Sequence, residues 1–217
     1  MSGEIEVFDT RDWLKERLSF TSDYADFSDE KARIYQNVIG VFTTQEDVFD
    51  FKLKEGTFDK LQNVEAKNVV VEGSKSFLKT DILTTKDFLN TIELTGNILI
   101  KYEDKTMKAK KGFITMKDGE VEQAEFTQNT EFIQKGVYNL RAQKSTISLE
   151  SKTLKSAEFE GQIKFIDYIN KTEVLGNFAT YDAVKNILVI YDNVSISSAT
   201  NNLKIKANDF YYNEVTK

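Results

Sequence analysis

"IELTGNILIKY", residues 92–102, alternates apolar and polar side chains at the period of two that marks a β-strand with one buried face. Gly96 interrupts the series where a large apolar side chain is due. The construction returns in "AEFEGQIKFI", residues 157–166, with Gly161 in the same place. Aligning strands on this point gives six copies: "IYQNV" from Ile34, "KLQNV" from Lys60, "LTGNI" from Leu94, "FTQNT" from Phe126, "FEGQI" from Phe159 and "IYDNV" from Ile190. By subtraction, their first residues stand 26, 34, 32, 33 and 31 positions apart, and Lys60 breaks the apolar rule. A small residue in the following strand keeps step, at Ala109, Ala142, Gly176 and Ala207.

A period of about 32 residues accommodates two strands and their turns. Polar breaks at "VEGSK" (71–75), "KDGE" (117–120) and "DAVKN" (182–186) separate the strands. Glycine inside a strand marks a bulge or bend, and Gln36, Gln62, Gln128 and Asp192 at the equivalent positions can bond backbone that a kink exposes. One kink per repeat curls the sheet around its interior. The fold class is therefore all-β: an open antiparallel β-jelly roll, or a flattened solenoid, of repeated strand pairs. Parity places Leu94, Ile98, Ile100, Phe126, Phe132, Phe159, Ile163, Phe165, Ile190, Val194 and Ile196 on the interior apolar face. Any β protein needs such a core, and only a void distinguishes a ligand lining from packing. Helical spacing is confined to "TRDWLKERL", where Trp13, Leu14, Arg17 and Leu18 fit a short amphipathic helix. Residues 1–23 then read as an N-terminal extension that caps the roll, and 24–217 as a single domain.

The 217 residues include no cysteine, histidine or proline. Disulfides, thiolate metal sites and histidine-based acid–base or nucleophile pairs are absent. The 35 acidic and 29 basic residues, net charge -6, form no basic stripe for nucleic acid. Clusters such as Asp26, Asp29 and Glu30, or Glu46, Asp47 and Asp50, lack calcium-loop spacing. No catalytic residue, metal ligand or cofactor is expected. No run of 18 apolar residues occurs. Without proline, the edge strands lack one common blocker and can join other strands.

"GNFATYDAVKNILVIYDNVSI" (176–196) and "LKIKANDFYYN" (203–213) resemble the OstA-like (LptA/LptC) family of lipopolysaccharide-transport proteins, over about residues 24–213. The resemblance implies a periplasmic, non-enzymatic bridge component whose apolar interior, the eleven residues above, carries the acyl chains of lipopolysaccharide from the inner towards the outer membrane. It also implies edge-to-edge β-strand stacking with other transport proteins, or head to tail with a second copy. Neither the leader peptide nor the N-terminal membrane helix of such proteins occurs in this chain. About ten buried methylenes would contribute on the order of 8 kcal/mol. With no basic cluster, the headgroup is expected in solvent. The alternative is a structural β-solenoid with a packed interior, assembling through its edges.

Overall fold

The computed structural model describes residues 3–8, 17–43, 47–59, 63–86, 90–117, 120–150, 153–200 and 203–213. Among them every regular element is a strand, the strand pairings within each unit are antiparallel, and the chain forms two compact units, Met1–Glu103 and Asp104–Lys217. The first unit contains β1 (Gly3–Phe8), β2 (Arg17–Ser22), β3 (Tyr24–Phe27), β4 (Lys31–Thr43), β5 (Val48–Asp59), β6 (Val64–Glu72), β7 (Ser76–Lys86) and β8 (Thr91–Tyr102). The second contains β9 (Lys105–Lys117), β10 (Glu120–Gln134), β11 (Tyr138–Glu150), β12 (Thr153–Asp167), β13 (Thr172–Asp182), β14 (Ile187–Ser198) and β15 (Leu203–Asn213). Within each unit successive strands are neighbours, save that β2 and β3 lie end to end along β4. This is the expected open antiparallel roll of strand pairs. The expected helix over 10–18 falls mostly outside the described residues. Its last two residues, Arg17 and Leu18, belong to β2, where pairing with Thr43 and Phe42 takes precedence over helical spacing.

The interrupted positions are bulges. Between Thr127↔Lys144 and Thr130↔Ala142 the pair Gln128–Asn129 opposes Gln143 alone. Similar shifts occur at Tyr35/Val38 in β4, Glu160/Ile163 in β12 and Tyr191/Val194 against β15. The bulged pairs have left-handed backbone: Gln36 and Asn37 (φ 62 and 48), Gln128 and Asn129 (65 and 64), Gly161 and Gln162 (78 and 51), Asp192 and Asn193 (63 and 57). Only glycine and small or amide side chains adopt this region at modest cost, which answers why a large apolar residue is missing there. Gly96 has φ 96.

One copy is misplaced by the sequence alignment. Gln62 lies outside the described residues, Asn63 precedes β6, and the left-handed residue of that repeat is Asn68 (φ 53), flanked by buried Ala66 and Val69. The apolar flanks that Lys60 denies to the first choice are present at the second.

Along the bulged strands the buried residues keep one parity, as in Ala157, Phe159, Ile163 and Phe165. The strands between them change parity opposite the bulge. Met107 and Ala109 are followed inside by Gly112, Leu140 and Ala142 by Ser145, and Val174 and Gly176 by Ala179. Small residues are needed there because a Cβ on Gly176 would lie 2.5 Å from Ile190 Cγ2.

The line of bulges is a crease. In the second unit Phe165 pairs through Val174 and Ile196 to Ile205, on one side of it. Tyr212 pairs through Leu188 and Tyr181 to Ala157, on the other. In a flat sheet β12 and β15 would stand roughly 14 Å apart, yet the Phe165 and Tyr212 rings lie 5.0 Å apart. The sheet is therefore doubled over, with its halves face to face. Phe132 against Phe159 (5.1 Å, edge-on) and Tyr138 against Tyr212 (6.3 Å) bridge the same halves. The first unit is creased in the same way. Phe20, opposite Gly40, stacks on Phe58, opposite Ala32, at 6.3 Å across the Gln36–Asn37 bulge.

Candidate functional site

Between the facing halves of the second unit lies a cavity of about 110 Å³. Its walls are Phe132, Tyr138, Leu140, Ile147, Leu154, Ala157, Phe159, Phe165, Tyr181, Leu188 and Tyr212, with Lys105 the only charged lining residue among those described. Each half contributes to it: Phe132, Tyr138, Leu140 and Phe165 come from one side of the crease, and Ile147, Ala157, Phe159, Tyr181, Leu188 and Tyr212 from the other. Apolar cavities of about 150 Å³ stay dry and accept a benzene-sized guest, so this space suits a short alkyl segment.

Of the eleven interior residues read from the sequence, Phe132, Phe159 and Phe165 line the cavity. Ile163, Ile190 and Val194 are buried in the same cluster at 1%, 0% and 2% exposure, with Ile196 packed against it, and none of the four reaches the cavity. Phe126 is buried between Gly112 and Ser145 in the neighbouring strands, again away from the lining. Leu94 and Ile98 are buried, and Ile100 half-buried, in the first unit. Parity puts Leu188 on the same face as Ile190, and it too lines the cavity; parity counting missed Tyr138, Leu140, Ile147, Tyr181 and Tyr212. All five lie on strands that change parity at the crease, β11, β13 and β15, so the spacing i, i+2, i+5, i+7 was the signal.

The outer side of the crease is polar and self-satisfied. Asn97 donates from its backbone N (3.1 Å) and Nδ2 (2.9 Å) to Asp81, Asn177 Nδ2 donates to Asp192 (2.9 Å), and Asn37 Nδ2 to Asp23 (2.7 Å). On the inner side, Thr130 Oγ1 donates to Ala142 O (3.1 Å) and Thr80 Oγ1 to Thr95 O (3.0 Å), satisfying backbone carbonyls beside the bulge.

The strongest electrostatic cluster is also outside. Glu131 accepts from Lys108 Nζ (3.0 Å), Arg141 Nε (2.9 Å) and Asn139 Nδ2 (2.8 Å). Burial raises its carboxyl, but the hydrogen bonds from Asn139, Lys108 and Arg141 outweigh it and hold the pKa at about 2, against 4.5 ordinarily. The folded value lies below the unfolded one, so this stabilisation is complete above about pH 4.5 and lost as pH falls towards 2. Wild type should lose about 2 kcal/mol more than Glu131→Gln between pH 5 and 2, after allowance for screening. Urea midpoints at the two pH values test this, and parallel losses would refute it. An ion-pair cluster accounts for this shift without catalysis.

The acidic clusters are divided between strands and turns: Asp26 lies in β3 and Asp50 in β5, while Asp29 and Glu30 lie in the turn between β3 and β4. Asp47 accepts from Val48 N (2.8 Å), Ser74 N (3.2 Å) and Ser74 Oγ (2.9 Å), while Glu46 lies outside the described residues. Among the described residues no group of three or more acidic, histidine or cysteine side chains could hold a metal ion, and no helix is long and apolar enough to cross a membrane.

At the last strand the inner face is open. Among the described residues β15 pairs only with β14, and Ile205, which continues the inner row of Ile196, is 43% exposed beside Leu203 at 46%. Compared with protein-family models and with curated proteins, the chain matches no family model and no curated protein at a significant level.

Proposed function

We propose that the protein is a non-enzymatic lipid carrier of the OstA-like lipopolysaccharide-transport type, working in the periplasm. It holds acyl chain between the halves of its second unit and meets further β-domains, or another copy of itself, through its free edges. The observation that carries this reading is the apolar cavity of about 110 Å³, walled from both sides of the crease. Six buried methylenes there would contribute about 5 kcal/mol before ordering costs, which gives reversible binding suited to transfer.

A structural module with a closed interior is the second reading. It is favoured by Ile163, Ile190 and Val194, which are fully packed and away from the cavity. A photoreactive residue at Phe159, with Glu160 on the exposed face as control, separates the two. Lipopolysaccharide crosslinked from position 159 and not from 160 is the outcome expected of a carrier. Absence of crosslinks from folded protein that assembles end to end as concentration rises would favour the closed module.

A further inference from the structure

We infer that the cavity of the second unit selects an anionic amphiphile, with Lys105 holding the headgroup at its rim. The inference rests on the carrier reading and extends it, since the sequence leaves the headgroup free in solvent. Lys105 opens β9, opposite Gln134 at the end of β10. It is exposed, yet it lines a space whose other walls are apolar or aromatic. Among the described residues its ammonium makes no ion pair or hydrogen bond.

The adjacent carboxylate is engaged elsewhere: Asp104 Oδ2 accepts from Gln134 Nε2 at 2.9 Å. Lys135 is at the same end, its backbone N–H donating to Asp104 O at 3.5 Å, and the carboxylate of Asp167, at the end of β12, is taken up by the backbone N–H groups of Ile169 and Asn170 and by Asn170 Nδ2. A lysine stem lying along apolar wall with its ammonium in water is a common arrangement. Here it sets an unpaired cation beside a dry space, and a ligand that satisfies both has an alkyl chain and a terminal anion. A neutral head leaves the ammonium without a partner, and a cationic head is repelled. Carboxylate and phosphate share the required chemistry.

Calorimetric titration of the full chain with decanoate, decyl phosphate, decyl maltoside and decyltrimethylammonium, all below micelle formation, tests the inference. Both anions should bind about tenfold more tightly than the maltoside, and the trimethylammonium more weakly still. A difference between the two anions identifies the head preferred. Lys105→Gln should remove the advantage of the anions and leave the maltoside unchanged. Equal binding of all four heads, or an anion preference that survives Lys105→Gln, overturns the assignment while the alkyl site stands. Binding of none of the probes overturns the alkyl site itself, and with it the inference.

Discussion

Deleting Gln162 should abolish the cooperative fold of the second unit, whereas Gln162→Gly should retain it. The bulge at Gly161–Gln162 supplies one extra residue against both neighbours, between Arg141↔Lys164 and Lys144↔Glu160 on one side and Glu160↔Phe178 and Ile163↔Gly176 on the other. Without it, the regular alternation of β12 carries through from Phe159 and turns the segment after the bulge over. Ile163 and Phe165, exposed by 1% and 0%, would then face solvent, and Lys164 would face the core. At roughly 2 kcal/mol for each large side chain removed from the interior, plus the burial of an unpaired ammonium, the loss approaches the whole stability of a domain of this size. The glycine variant keeps the chain length and suits φ 51. Urea unfolding followed by near-ultraviolet circular dichroism separates the cases. A cooperative transition in the deletion variant within about 1 kcal/mol of wild type would show that the bulge does not set the register.

Phe165→Ala should cost about 4 kcal/mol, within the range for a buried Phe emptied to Ala. Its ring lies against Tyr138 (5.9 Å), Phe210 (6.1 Å) and Tyr212 (5.0 Å). It is fully buried and also borders the existing cavity, so its removal joins new space to old instead of allowing collapse. Ile196→Ala, at a partly buried position on the same side of the crease, should cost clearly less. Equal midpoint shifts in urea would argue against Phe165 as the clasp between the halves.

The sequence makes the bulged strands legible because their apolar parity survives the extra residue. Phe159, Ile163 and Phe165 are read correctly from alternation alone, and the left-handed pairs announce themselves as Gly, Gln, Asp and Asn in an apolar position. The intervening strands are harder. Their inner residues slip by one at the crease, from Ala142 to Ser145 and from Gly176 to Ala179, so a count that expects period two assigns half of each strand to the wrong face. That is why Ile147 and Tyr181 are missed although both wall the cavity. The contact between Tyr138 and Tyr212 follows from neither strand by itself, because it requires the doubling of the sheet. The repeat containing β6 is hard for a different reason: its Gln62–Asn63 dipeptide matches the other copies, whereas the left-handed Asn68 is a single residue set between apolar Ala66 and Val69.

Each hairpin of the second unit carries the code for its own crease in two adjacent residues, and pairs only with the strands before and after it in the chain. The length of the apolar trough is thus a matter of counting. A further hairpin of about 31 residues, bearing its own left-handed pair, would lengthen both walls together by two strand spacings, roughly 9.5 Å, and leave the cross-section unchanged. Gene duplication within such a chain changes the reach of the protein in fixed steps, without a new core having to be devised at each one.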